Sequence, residues 1–480
     1  MGVFSILLLC IVVHIFFNKD SLKNKYLKYI SIAMIIEVLV LNASFINVGG
    51  LAISIKYFMN IVVFIYTIYF IFKENINFDK TMFFIGIIFL FLIVIGILSE
   101  IIYPYSEYII NYDVEQGWDK YVLGMINKEP IRLSFQNIFL LYFKIVVFVL
   151  TTYMIKTICN RYDLIYILKN ILKYTRFIIF FGFFEYIMKN IIAMPDVIEI
   201  FQYIMFFSVK EGQVSFLEDS YRLIGVSSEP SYFVYSLFLI AVLNIITKRI
   251  IRSNIEYQKL INYHKYDNLL IIILMILSGG FSCICYISML VIIYIISYYD
   301  IRKISLFYII KLILSMTLFF IIIVGAIFYY SEISNNYIGE RLDQVFEILS
   351  YIAIDSNVIL SNSLNYGGSN VARLFSIYEV MLDFLNRPIL GLGVGVQIAH
   401  SGFVMLLSDF GILGVYFLGK LVLYKVNKKI KYDNLFLLIF FVIVNIPIGT
   451  KSIGYEINTI LFIELTSIYF SDKYIKYKDR

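Results

Sequence analysis

Apolar runs of roughly 16–24 residues recur along the chain, separated by charged stretches, and leave few folds open to it. A soluble domain could not bury them, because 61% of the 480 residues are hydrophobic and 15% charged, an excess over ordinary globular composition. The runs are continuous and do not alternate over about ten residues, which predicts helices and disfavours a transmembrane barrel. The reading is an all-α polytopic membrane protein, with residues 1–480 forming a single integral membrane domain. Expected spans lie near 2–17, 29–46, 51–72, 81–99, 135–157, 177–194, 230–247, 268–279, 281–299, 304–330, 402–424, 434–449 and 455–470, about 13 in all. Ser278-Gly279-Gly280 separates the pair 268–279 and 281–299 as a tight reversal.

Lysine and arginine set the orientation. Lys19, Lys23, Lys25 and Lys28 follow the first span, and later clusters fall on the same side: Arg161 to Arg176, Lys248 to Lys265, Arg302 with Lys303, Lys420 to Lys431, and Lys473 to Arg480. This side is therefore cytoplasmic, with the N-terminus outside and the C-terminus inside. The first apolar run is not read as a cleaved signal peptide, since its lysines follow the apolar stretch. Cys283-x-Cys285 has no second ligand pair, and the four cysteines make no disulfide framework.

Three longer segments face outward, about 100–134, 195–229 and 331–401. The cytoplasmic loops are short and basic, with no nucleotide-binding domain, which excludes an ATP-driven pump from this chain alone. Gly391-x-Gly393-x-Gly395 is not a dinucleotide fingerprint and follows no strand; nothing points to nucleic acid. Aromatics and carboxylates in the first loop, Trp118 and Asp119 among them, suit sugars, but aromatics are 18% of the chain and crowd membrane interfaces anyway.

In the third loop, Glu340–Ile352 and Val371–Leu385 have helical apolar spacing and are expected to lie in the membrane interface. Leu374, Ile377, Tyr378, Met381, Phe384 and Leu385 form the apolar face of the second, with Arg373, Ser376, Glu379 and Asp383 opposite. Pro388 stops that helix, and the glycines turn the chain before His400, the one histidine placed outside. The second loop ends in Arg222-Leu-Ile-Gly-Val-Ser-Ser-Glu-Pro230. Ser227 or Ser228 as cap and Pro230 in the first turn explain most of it. Arg222, beside a helix N-terminus, suits an anion.

Ionisable residues within spans are costly and suspect: Glu37, Glu185 and Asp409. Glu185 and Lys189 are spaced for an i,i+4 pair, a structural account. Lys56 and Lys144 snorkel or pair. Gly411 and Gly414 read as a close-packing face.

Arg222…Gly225…Ser228-Glu229-Pro230-Ser231 resembles the arginine-glycine-Glu-Pro signature of O-antigen polymerases and ligases. Pro388-Ile-Leu-Gly-Leu-Gly…His400-Ser-Gly-Phe…Leu407-Ser-Asp-Phe-Gly411-Ile-Leu-Gly414 is similar to that family's second signature, and Arg373 falls where it carries an arginine. The motifs cover about a tenth of the chain; span number and the long loop agree. The resemblance implies a C-type membrane glycosyltransferase fold and an undecaprenyl-diphosphate-linked glycan donor at the outer face of the bacterial inner (plasma) membrane, with no metal or other cofactor. It assigns Arg222 and Arg373 to the diphosphate and His400 or Glu229 to acid–base work, with Asp409 and Arg341 supporting. Membrane lipid, and a flippase and chain-length regulator of the same pathway, would be partners. Ligases commonly show His-Asn where this chain has His400-Ser401, which tilts the reading to a polymerase; a ligase or protein oligosaccharyltransferase is the alternative, and a polysaccharide flippase the alternative of another class. This reading predicts that His400→Ala lowers polymer yield more than His14→Ala or His264→Ala. Equal yields in the three variants would remove His400 from the site.

Overall fold

In a computed structural model, residues 3–38, 44–48, 51–76, 79–102, 135–206, 216–217, 220–221, 223–225, 227, 230–251, 266–278, 281–298, 377, 380–381, 384–394 and 401–424 are described. The fold over these residues is helical: α1 (Val3–Phe17), α2 (Leu22–Val38), α3 (Ile55–Lys73), α4 (Lys80–Ile102), α5 (Phe135–Ile158), α6 (Arg161–Tyr186), α7 (Pro195–Phe206), α8 (Pro230–Ile251), α9 (Asp267–Leu277), α10 (Phe281–Tyr298) and α11 (Gly402–Val422). A π-helical turn, Ile187–Ile191, extends α6. The all-α expectation needs one amendment. Two antiparallel hairpins occur, β1 (Ser44–Val48) with β2 (Leu51–Ser54), and β3 (Phe216–Leu217) with β4 (Ser220–Tyr221).

Among the described residues, four helices are long and apolar enough to cross a membrane: Ile55–Lys73, Lys80–Ser99, Ile138–Ile158 and Gly402–Val422. Their surroundings agree with that assignment. Phe83, Phe84, Ile87 and Phe91 on α4, and Ile6, Leu7 and Phe16 on α1, are exposed, an apolar surface that water does not tolerate and lipid does. In contrast α8 is buried on all sides from Phe233 to Ile245, as an all-round apolar helix must be. It packs on α6, α9, α10 and α2, while α3 joins α2 to α5 and α4 carries α11. The expected pair 268–279 and 281–299 is indeed two helices, α9 and α10, both lying on α8. The expected spans 304–330, 434–449 and 455–470, and the helix Glu340–Ile352, lie outside the described residues.

Three span boundaries differ from expectation, each for a local polar reason. The span expected at 29–46 is α2, which starts at Leu22 and ends at Val38. Its lysines find partners outside the helix: Lys23 pairs with Asp163 at 2.6 Å, Lys28 with Asp20, and Lys25 donates to the Phe16 carbonyl at 2.7 Å. The span expected from 51 begins at Ile55, where the Ser54 hydroxyl accepts from the Tyr57 amide, a side-chain N-cap. The span expected at 177–194 is the end of a longer helix that begins at Arg161, fixed by an Asn160–Asp163 capping box.

Polar ties gather one end of the bundle. Asp79 accepts the Thr81 and Met82 amides at the start of α4, and both its oxygens accept the Tyr424 hydroxyl at 2.8 Å. The Tyr153 hydroxyl accepts from the Asp79 amide, and Lys156 donates to the Tyr424 carbonyl at 3.0 Å. The segments around residues 23, 79, 156–163 and 424 therefore meet at a common end. Asp79→Ala should lower stability by about 2 kcal/mol through the lost cap and hydroxyl bonds. Thermal unfolding in detergent reads this directly, and an unshifted midpoint would show that the tie is not holding α4 and α11 together.

Candidate functional site

The two motif segments are turns of non-helical backbone, each held by dedicated hydrogen bonds. The first follows Arg222. Leu223 is fully buried, and the Ser227 amide donates to the Ile224 carbonyl at 3.0 Å, closing a tight turn around Gly225. Two amides of that turn point at one buried carboxylate: Gly225 N donates to Glu185 Oε2 at 2.7 Å and Ile224 N to Oε1 at 3.1 Å. Lys189 Nζ donates to the same Oε1 at 2.7 Å. From the other side, Gln202 Nε2 of α7 donates to the Gly225 carbonyl at 2.7 Å. The Ile224, Gly225 and Ser227 amides each have a partner, as buried backbone requires.

Packing explains the glycine. Gly225 has φ +59°, and a Cβ there would lie 2.2 Å from the Phe233 ring. That ring is itself accommodated because Gly182 of α6, one turn before Glu185, leaves room for it. The expected i,i+4 pair of Glu185 and Lys189 is present and buried, but sequence reasoning missed the carboxylate's bonds to the turn. The signal was available: a glutamate in an apolar run asks for more acceptor work than one lysine supplies. Gln202 carried no comparable signal.

The second turn, 388–394, is spliced into a helix. In an unbroken α11 the Ile412 and Leu413 amides would bond to the carbonyls four residues back. Instead they donate to the carbonyls of Pro388 at 2.8 Å and Ile389 at 3.1 Å, while the Ser408 carbonyl accepts from Leu392 N at 2.6 Å. Gly411 marks the break, with φ +62° and ψ 179°. A Cβ on Gly411 would lie 2.3 Å from the Ile389 oxygen, and one on Gly391, 2.5 Å from Gly411 N. The close-packing role expected for Gly411 holds, against the 389–391 backbone, and the break in the helix there is what the sequence did not show. The span expected as one helix at 402–424 is two helical pieces.

On its far side the turn lies against α4, where a Cβ on Gly393 would come within 3.1 Å of Ile97 backbone. Phe410 meets Phe89 of α4 edge to face at 5.0 Å. Gly411 precedes Tyr424 by 13 positions, about 20 Å at the helical rise. Ahead of the turn, residues 377, 380–381 and 384–386 are helical. The turn begins just past them at Arg387, as Pro388 requires. Phe384 of the expected apolar face is buried, and Val380, absent from that face, is buried as well and packs with Val404 and Met405 at the start of α11, with Ile377 and Met381 against them. Leu385 and Ile389 are exposed.

Asp409 is buried just before the break. Arg222, Glu229, Arg341, Arg373 and His400 lie outside the described residues; the structure describes the 223–225 and 388–394 turns, each on its own supports. Glu37 is buried on α2. Among the described residues no three of His, Cys, Asp and Glu group as a metal site. No family model matches the chain, and neither a curated protein nor a solved structure matches it.

The splice makes a sharp prediction about two glycines of one helix. Gly411→Ala must strain both a left-handed backbone and two backbone contacts, and should destabilise by about 3 kcal/mol or more. Gly419→Ala meets nothing within 4 Å and should be neutral or mildly stabilising. Size-exclusion profiles of detergent extracts separate the two, and a well-behaved Gly411→Ala protein would contradict the splice.

Proposed function

We propose that the chain is a membrane glycosyltransferase that polymerises a cell-surface polysaccharide. In this reading it joins undecaprenyl-diphosphate-linked oligosaccharide repeat units at the outer face of the bacterial inner or plasma membrane. The observation that carries the proposal is that both motif segments, and not merely one, are irregular backbone held inside an otherwise helical membrane fold by bonds dedicated to that purpose. Irregular backbone at membrane depth is expensive and is kept where a site needs it.

The chemistry follows from the residues that the two motifs supply. Arg222 and Arg373 bind the diphosphate, whose negative charge grows as the bond from the anomeric carbon to its oxygen breaks. His400 or Glu229 takes the proton from the acceptor hydroxyl as that oxygen bonds to the anomeric carbon. Undecaprenyl diphosphate leaves, and the polyprenyl chain departs laterally into lipid past the apolar surface of the bundle. Ser401 after the histidine favours a polymerase over a ligase.

A second reading, a polysaccharide flippase or other transporter, has one observation in its favour: α11 is a broken helix, and discontinuous helices frame the substrate sites of many transporters. Purified protein given a lipid-diphosphate repeat unit separates the readings. A polymerase releases lipid diphosphate and yields products of two or more repeats; a transporter releases none. Arg222→Ala and Arg373→Ala should each slow release by about a hundredfold or more, as loss of a charge-stabilising donor does, with membrane levels of protein unchanged. Wild-type rates in both variants would sink the diphosphate assignment.

A further inference from the structure

Glu185 and Lys189 form a buried ion pair, and buried pairs are poor sources of net stability. Their geometry points elsewhere. The Glu185 carboxylate spends one oxygen on Lys189 and Ile224 N and the other on Gly225 N. A neutral amide at this position could not accept both backbone donors, because one of its two ends is itself a donor. The pair sits where α6 passes into a π-helical turn, Ile187–Ile191, a distortion that recurs at functional sites. Lys189 lies within that turn, and β4, ending at Tyr221, packs on it. The chain on both sides of Arg222 therefore rests on the Glu185–Lys189 segment.

We propose that Glu185 is a positioning residue for the diphosphate site, fixing the turn that follows Arg222 in the sequence, with Lys189 as the counter-ion of its carboxylate. The inference rests on the glycosyl-transfer reading for its catalytic consequence and on the hydrogen bonds alone for the anchoring. Glu185 touches neither substrate nor reacting atoms in this scheme; it acts through the turn.

Glu185→Gln alone would strand the Lys189 ammonium in the interior and could simply fail to fold. The test variant is therefore the double substitution Glu185→Gln with Lys189→Met, which removes both charges at similar volume. A second variant, Gln202→Leu, removes the other tether at Gly225 without touching the ion pair. Full-length protein in lipid nanodiscs is measured two ways: amide hydrogen exchange in a peptide covering 223–227, with α2 as internal control, and lipid-diphosphate release from a lipid-linked repeat unit. Exchange in 223–227 should rise about tenfold or more, as loss of such bonds implies, with α2 unchanged. The catalytic constant should fall about a hundredfold with KM moving less than about threefold, the mark of misplacement and not of lost affinity. Unchanged exchange in both variants overturns the anchoring. Faster exchange with an unchanged catalytic constant overturns the positioning role. If wild-type protein releases no lipid diphosphate, the transfer reading and the positioning role fall with it, while faster exchange in the variants still supports the anchor.

Discussion

Backbone amides and carbonyls with no water to bond to are the constraint on which the site's architecture depends. A helix solves it internally, so any departure from helix inside a membrane must be satisfied from outside the segment. This protein departs twice and uses two solutions. At α11 the missing helical bonds are exchanged with the 388–394 turn, carbonyl for carbonyl. At residues 224–225 the turn's amides are given to a buried carboxylate and its carbonyl to a glutamine. Glycine appears where backbones approach closely, at Gly391 and Gly411, and where the Phe233 ring fills the place of a side chain, at Gly225.

Both devices stand away from the end of the bundle tied by Asp79, Tyr153, Lys156 and Tyr424. Glu185 follows Asp163 by 22 residues of continuous helix, about 33 Å, whereas Asp163 pairs with Lys23 at the tied end. The bundle thus separates a polar, salt-bridged end from an opposite region where the irregular turns lie.

Much of the scaffold was legible because hydropathy is a long-range signal that needs no tertiary information. α1, α4 and α5 begin and end close to where their apolar runs do, and Pro230 opens α8 as its fixed dihedral favours. The errors arose where polar side chains act locally. Lysines 23, 25 and 28 read as a loop, yet each finds a partner that lets α2 include it. Glycines 411 and 414 looked alike in sequence, and only the fold separates the helix break at Gly411 from the packing of Gly414 against Phe410. Glu185 was recognisable as half of a pair; its bonds to the turn depend on residues about 40 positions away in sequence, which no local pattern contains. For the site, the motif segments were legible as places, and their means of support were not.

The central claim is that the two supported turns serve one diphosphate site at the face opposite the Asp79–Tyr424 tie. Electron cryo-microscopy of the protein in lipid nanodiscs with added undecaprenyl diphosphate tests it most directly. The account predicts diphosphate density within hydrogen-bond reach of both Arg222 and Arg373, beside the 223–225 and 391–394 turns. Diphosphate bound instead among the lysines of the tied end, or reaching neither arginine, would contradict it.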